Sequence, residues 1–526
     1  MATSQNKTVR IYVHSSGSWF PARPYQSHAF FDFQKKGYQK RTYCSSSDLV
    51  SKVAVGSFVD DDKNRDCSLF PSTEDFVFQL IRDGMYVFLA NDKGEFHLVT
   101  DSADTVGADY LKDLQTTRTT DSKNVSGIAL SRLTEYRPDN SGSTWFEKIF
   151  GFDERVWQRA TDIEHLPMII NNNDGAFTKF SEELFDRSPV LTIRFQKNRP
   201  SRKLLIGKFG TPTLAEIRSF ALSKYNEDQS QSVSQSTINN VVVGDVFNTH
   251  SDPAYKGALF QVASQFNCLE FPSSDVVPEN GITGYVYDRT QGPACSIPVG
   301  GATFYRNYVA PVENGVVDSK SKKSGQTTDN QINCLIDVLS ELEKMGGEKF
   351  VSVHNGYTFS SNEKLTRLNL LLSRMSTQAM SKLMDKLRIG TQFGAGVYLD
   401  RNRNVISQEK LQLVSQAFCS AISISYSGLN AKSWEPFAKA VLKASYEATL
   451  WSAVINKNIG GSNKVVLTCV GGGVFGNRLE WIADAICEAF IATEKYGLDI
   501  EIGHYSESNQ AEFLAHFNKA RKTYGI

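Results

Sequence analysis

Lys464–Val470 (KVVLTCV) runs directly into Gly471–Asn477 (GGGVFGN), and Arg478–Thr493 follows. The first run is almost wholly apolar, as a parallel strand buried on both faces requires. In the last, Leu479, Ile482, Ile486 and Phe490 fall at helical spacing. Asn477 with Glu480 three residues later predicts a capping box at the helix start. A glycine-rich loop therefore joins a buried strand to a helix N-terminus. Glycines let backbone amides close on oxygen atoms, and the unpaired N–H groups of a first helical turn point at anions, so the unit suits a diphosphate. Gly471, Gly473 and Gly476 also satisfy G-x-G-x-x-G, a pattern that a tight turn needing glycine satisfies as well.

Chain order separates the possible uses of such a loop. A dinucleotide-dependent oxidoreductase carries it after the first strand of its unit and continues through further strand–helix units. Here one helix, one strand (Leu498–Gly503) and a short terminal helix follow before Ile526. The loop thus follows the penultimate strand, which disfavours the redox reading.

The elements that must hold this loop read as an α/β layered fold from about residue 145 onward. Val190–Phe195, Lys203–Ile206, Val241–Val243 and Ala258–Ser264 are strand-like, and Leu214–Tyr225 is helical. Gln331–Met345 predicts a helix leading to a strand at Phe350–Val353. In 432–454, Trp434, Phe437, Val441, Ala444, Ala448 and Trp451 fall three and four apart and line one helix face. Glu447 neighbours that face and reads as a structural carboxylate. Residues 1–140 are strand-rich, with Val9–Val13, Phe76–Leu80 and Tyr86–Leu89 between turn clusters, and hold no catalytic constellation. The expected layout is a 1–140 module, a 141–235 extension and a 236–526 ligand-binding domain.

Lys plus Arg and Asp plus Glu are both 57 in 526 residues, which gives no broad field for bulk nucleic acid or an acidic membrane. None of the eight cysteines forms a C-x-x-C pair, and several sit in apolar runs, so reduced buried thiols are expected. No apolar run reaches membrane-span length and Met1–Arg10 is polar. A cytoplasmic or nuclear location follows from this reading. The dispersed histidines form no H-E-x-x-H, and no metal or cofactor is expected.

Several segments resemble macrodomains. Val470–Asn477 (VGGGVFGN) is similar to their second diphosphate loop, which implies Gly471, Gly472, Gly473, Val474, Phe475, Gly476 and Asn477 as ligand contacts. Val241–Val246 (VVVGDV) resembles the G-D-[IV] start whose Asp accepts from the adenine amino group, implying Asp245 and Val246. Phe260–Asn267 (FQVASQFN) resembles the V-N-A-A-N strand end that lines the distal ribose, and implies Gln265 and Asn267 where that pattern has asparagines. Tyr505 stands where macrodomains place an aromatic near the adenine. A closer resemblance, over residues 145–526, is to the MavL-like arginine-specific macrodomain (ADP-ribosyl)hydrolases. It rests on Lys208–Leu214 (KFGTPTL), Gln265–Phe271 (QFNCLEF), Gly281–Asn307 (GITGYVYDRTQGPACSIPVGGATFYRN), Ser445–Ala453 (SYEATLWSA) and the glycine loop. It implies a macrodomain-like mixed sheet flanked by helices, with ADP-ribose and mono-ADP-ribosylated proteins as partners, and adds Thr290, Gln291 and Gly292 to the binding set.

Removing ADP-ribose from arginine breaks an N-glycosidic bond, and positive charge develops on the ribose. A carboxylate can activate water or hold a ribose hydroxyl, and acidic oxygens are the natural partner of a planar guanidinium. Segment 270–291 supplies Glu270, Asp275, Glu279 and Asp288. The resembling family keeps its catalytic acids in this loop, which implies Asp288 first, Glu279 second and Asp275 third. The alternative for Asp288 is a cap on the following segment, or an ion pair with Arg289 or Arg306. No Gln-Glu-Glu triplet of the poly(ADP-ribose) glycohydrolase kind is present, so trimming of chains is not the first expectation. A non-catalytic ADP-ribose reader is the rival function, and would have no need of the acidic loop. Because both loops lie far downstream, a chain beginning at residue 141 is expected to fold and keep turnover on a small substrate. A folded but inactive chain of that length would show that residues 1–140 help build the site.

Overall fold

The computed structural model describes residues 10–15, 18–21, 86–90, 96–99, 144–159, 168–171, 189–194, 202–223, 235–407 and 410–526. The chain divides into two compact units, residues 1–144 and 145–526. In the first, β1 (Arg10–Ser15), β2 (Ser18–Pro21), β3 (Tyr86–Ala90) and β4 (Phe96–Val99) form an antiparallel sheet in the order β2-β1-β3-β4. The strand expected at 76–80 lies outside the described residues.

The second unit opens with two short helices, α1 (Trp145–Phe150) and α2 (Glu154–Arg159). Three strands follow, β5 (Met168–Asn171), β6 (Val190–Arg194) and β7 (Arg202–Gly210), then α3 (Leu214–Ser223). Next come β8 (Thr237–Val242), α4 (Val246–His250), β9 (Leu259–Ala263), α5 (Gln291–Ser296) and α6 (Gly300–Tyr308). A small hairpin of β10 (Val312–Glu313) and β11 (Val316–Val317) leads to α7 (Ile336–Gly346). A second hairpin, β12 (Ser352–His354) with β13 (Tyr357–Phe359), precedes α8 (Asn362–Ser373) and α9 (Thr377–Met384). Strands β14 (Gly390–Gly396) and β15 (Leu413–Cys419), α10 (Ile424–Ser427) and α11 (Ala431–Asn458) come next. The chain ends with β16 (Lys464–Leu467), α12 (Leu479–Thr493), β17 (Asp499–His504) and α13 (Glu507–Tyr524).

One nine-stranded sheet carries the unit, in the order β5-β6-β7-β14-β15-β9-β16-β17-β8. β15, β9, β16, β17 and β8 run parallel, and β14 is antiparallel between β15 and β7. This is a mixed α/β sheet flanked by helices, as expected. The apolar run Leu259–Ala263 sits at its centre because neighbours cover it on both sides. Helix α11 is the longest element at 28 residues, and the Asn430 side chain caps it by accepting from the Lys432 amide. Its Trp434, Phe437 and Val441 are fully buried. Glu447 accepts from Arg218 (2.9 Å) and Trp451 (3.1 Å), so it ties α11 to α3 as a structural carboxylate.

Two expectations change. Helix α7 starts at Ile336 rather than at 331, because the backbone donors before it are used elsewhere. Ile332 donates to the Gln326 side chain, Asn333 to Gly315 and Cys334 to Phe266. The strand expected at 350–353 pairs with β13 and stays out of the main sheet.

The five parallel strands end on one edge, and the chain leaves β9 toward β15 on one side but later returns to β16 on the other. That reversal is a topological switch point, where open α/β sheets bind ligands beyond the carboxyl ends of the strands. Pairing between β9 and β16 stops at Phe260 and Val466, so a crevice opens there.

Beneath the segment leaving β9 lies a charge pair. Arg306 of α6 and Glu270 are both fully buried, 3.4 Å apart. The guanidinium also donates to Cys268 O (3.2 Å), Gln392 Oε1 (3.1 Å) and Ser296 Oγ (3.0 Å), and lies 3.9 Å from the Phe418 ring centroid. Burial pushes the Glu270 carboxyl up to about 7, against the pull of Arg306. Arg306 thus partners Glu270, not Asp288. Because a guanidinium stays charged, Glu270→Ala strands it in the core, and should cost about 3–5 kcal/mol in a urea titration. A loss near zero would show that the pair does not brace the fold.

Candidate active site at the carboxyl edge

At the centre of the crevice, Gln291 occupies backbone positions that β16 vacates. Its Oε1 accepts from Ala263 N and its Nε2 donates to Gln261 O, both at 2.8 Å. The carboxamide therefore continues the β9 ladder as a peptide would, and both its ends are taken by backbone. Gly292 follows for a steric reason, since a Cβ there would overlap the Ala263 carbonyl oxygen. Gln261 reaches across the crevice, accepting from Thr468 N (3.1 Å) and donating to Thr449 (3.0 Å).

The glycine loop leaves β16 beside the segment after β15. Asn477 N donates to Gly471 O at 2.9 Å and closes the loop, while Ser425 N donates to Phe475 O at 3.2 Å. The expected capping box does not form: Arg478 is the N-cap of α12, with no side-chain cap bond. Asn477 Nδ2 instead donates to Ile422 O (2.8 Å), and Glu480 pairs with Arg478 (3.4 Å). The first turn of α12 thus keeps its amides uncapped by side chains, and no hydrogen bond from the amides of Gly473, Val474 or Phe475 is found among the described residues. Gly473 and Val474 are exposed, and a Cβ at Gly473 would meet open space. These features give a loop of free donors facing outward.

Three aromatic rings join this loop to the acidic segment. Phe475 lies 5.6 Å from Tyr426 and 5.5 Å from Tyr357, and Tyr357 lies 4.9 Å from Tyr426, centroid to centroid. Tyr357 donates to Phe271 O at 2.8 Å, so it anchors the start of the acidic segment. Burial, with the charge of Asp288, raises the phenol pKa of both Tyr357 and Tyr426, and Asp275 adds to the effect on Tyr357. Asp288 ends a 3-10 turn (Thr283–Tyr287) and is half-buried. Its Oδ1 accepts from Thr290 N (2.8 Å), while no hydrogen bond to Oδ2 is found among the described residues. It is thus both a local cap and a carboxylate with one oxygen open.

The other expected residues are placed as follows. Glu279 is exposed and its two oxygens accept from the Thr328 amide (2.7 Å) and hydroxyl (3.0 Å). Thr328 lines a polar cavity of about 420 Å³ together with Gln331, Asn355 and His354. No contact of Glu279 with the aromatic group is found among the described residues, and Asp275 is exposed. Gln265 bonds both ways to the Phe271 backbone (2.9 Å each), and Asn267 donates to Gln331 (2.9 Å). Both are buried braces of the segment. Asp245 is the exposed N-cap of α4 and accepts from Phe247 N (3.0 Å), Val246 is buried, and Thr290 is the exposed N-cap of α5. Tyr505, just past β17, is 69% exposed, an unusual position for a tyrosine without a partner surface. The sequence reading missed Tyr357 and Tyr426, which carry no motif of their own.

No protein-family model and no curated protein matches the chain. Among solved structures, it is similar to the poly(ADP-ribose) glycohydrolase of Deinococcus radiodurans in complex with ADP-ribose, at 11% identity and a TM-score of 0.34, over 60% of this chain and 94% of that one. The glycohydrolase of Thermomonospora curvata is similar at 10% identity and a TM-score of 0.29, over 59% of this chain and 85% of that one. At such values neither likeness carries a functional argument.

Gly473→Val should fold as the parent chain does, since its Cβ meets no atom, yet should abolish binding of a diphosphate ligand, with ADP-ribose as the calorimetric probe, by blocking the approach to the loop amides. Undiminished affinity in the folded variant would remove the loop from the binding site.

Proposed function

We propose that the 145–526 unit binds ADP-ribose across the carboxyl edge and hydrolyses its bond to a protein side chain, arginine in particular. The observation that supports this most is that Tyr357 joins the two loops, its ring packing on Phe475 of the diphosphate-type loop and its hydroxyl holding Phe271 at the start of the segment that carries Asp288. The sheet order agrees with an extended ligand. From the end of β9 to the end of β8 the edge spans three strand spacings, roughly 14 Å. Adenine would lie by Asp245 and Tyr505, the diphosphate on the amides of 473–475 and the first turn of α12, and the distal ribose by the acidic segment.

In this reading the open Oδ2 of Asp288 takes a proton from water as its oxygen bonds to the anomeric carbon. The C–N bond breaks, its electrons leave with the guanidine group, and free ADP-ribose and arginine result. Asp275 adds negative potential beside the ribose. Glu279, exposed and held in orientation by Thr328, is available to a guanidinium arriving from solvent.

Asp288→Asn keeps the shape and removes the base, so turnover should fall by roughly 10²–10⁴ while affinity for free ADP-ribose changes little. Glu279→Gln should weaken cleavage of arginine-linked substrate more than of ester-linked substrate, which offers no cation. Steady-state kinetics on both substrates checks these outcomes. Wild-type turnover in Asp288→Asn would leave Asp288 only its capping role.

A further inference from the structure

The acidic segment is held by residues that precede it by more than a hundred positions. Glu154, the first residue of α2, is buried at 4% exposure. Its Oε1 accepts from Ile282 N and its Oε2 from Thr283 N, both at 2.7 Å, across 128 and 129 positions of sequence. Tyr308 Oη donates to Oε1 at 2.8 Å. Two further bonds flank this grip. Trp145 Nε1 donates to Thr283 O and Gln158 Nε2 to Glu279 O, each at 3.0 Å. Gly281 gives a second, steric sign of the same arrangement. It has φ +88°, and a Cβ there would overlap the side chains of both Glu154 and Gln158. So α2 presses on the loop backbone between Glu279 and Asp288.

We infer that Glu154 is a positioning residue, which fixes the backbone at 281–283 and thereby sets where Asp288 stands relative to the aromatic group and the glycine loop. The inference rests on the hydrolase reading for its consequence, though not for its geometry. A buried carboxylate is costly unless donors surround it, and three donors meet this one. Burial raises its pKa, and the donations from Ile282, Thr283 and Tyr308 pull it back. The 3-10 turn that ends at Asp288 begins at Thr283, so a slackened grip at 283 moves the carboxylate five residues on. Among the described residues no hydrogen bond joins Glu154 to the glycine loop, to Asp245 or to Tyr505, so affinity for free ligand should not depend on it.

Glu154→Gln tests this, because it sets an N–H2 against one of two backbone N–H groups and changes little volume. Gly281→Ala pushes on the same contact from the loop side. Three measurements are made on full-length protein: turnover of arginine-linked substrate, calorimetric affinity for ADP-ribose, and amide hydrogen exchange at Ile282 and Thr283. The expected result in Glu154→Gln is a loss of roughly 10–10²-fold in kcat, the scale of a small misplacement of a catalytic group. Affinity for ADP-ribose should stay within about twofold, and the two amides should exchange faster. Unchanged kcat with unchanged exchange would overturn the inference, and so would a loss of affinity in parallel with kcat, which is the mark of general damage to the pocket. If wild-type protein cleaves nothing, the hydrolase reading fails by itself. Exchange at 282 and 283 then still decides: faster exchange in Glu154→Gln supports the grip, and unaltered exchange refutes it.

Discussion

The guanidinium of Arg306 lies wholly inside the protein, against the ring of Phe418 and within reach of Glu270, and most of the carboxyl edge is built around it. A buried charge costs several kcal/mol to desolvate, and only a full set of partners offsets this. Here the partners come from the segment after β9 (Cys268 O and Glu270), from β14 (Gln392) and from the end of α5 (Ser296). The ion therefore gathers three separate elements at one point. It fixes the root of the acidic segment against the helix pair α5 and α6. The arrangement is correspondingly sensitive, since losing Glu270 leaves the buried guanidinium without its counter-ion.

From that root the acidic segment runs outward between two further restraints. On one side Gln291 completes the ladder of β9 where β16 has parted from it, and Gln265 and Tyr357 hold Phe271. On the other, Glu154 and Trp145 hold residues 282 and 283. Between them lies Asp288, on a segment whose start Tyr357 ties to the aromatic group that the glycine loop also joins. Polar groups predicted to contact a ligand are here spent on the scaffold, and the donors left for a ligand are backbone amides. This division is physically reasonable, because side chains locked by internal bonds make a rigid frame and free amides at a loop and helix start make the anion site.

How far the sequence discloses this depends on the range of the forces involved. The strand, glycine loop and helix at 464–493 were legible because their signals are local: an apolar run, closely spaced glycines and a helical period. β9, α11 and the chain order that put the loop after the penultimate strand were legible for the same reason. The capping box at Asn477 and Glu480 was not, because Asn477 finds a better acceptor in Ile422 O, a residue 55 positions earlier. The start of α7 shifted for a like reason, with its preceding amides taken by Gln326, Gly315 and Phe266. Asp288 was proposed through the family resemblance of its loop, whereas the packing of Tyr357 and Tyr426 on Phe475 could not be read, since a tyrosine in a hairpin and one after a strand have no spacing in common. Glu154 and Gly281 were the least legible. Nothing in either segment names the other, and their link is visible only when the backbone brings them together.

Cleavage of ADP-ribose from arginine, as proposed for this edge, differs from mere holding in releasing two products. The direct test is to incubate the purified protein with an arginine-linked mono-ADP-ribosylated protein and follow both products by mass spectrometry over time. Hydrolysis at this edge predicts free ADP-ribose appearing in step with unmodified arginine, at catalytic amounts of protein and without added metal. Tight binding of ADP-ribose with no release above the uncatalysed rate would contradict it, and would make this edge a reader of the modification.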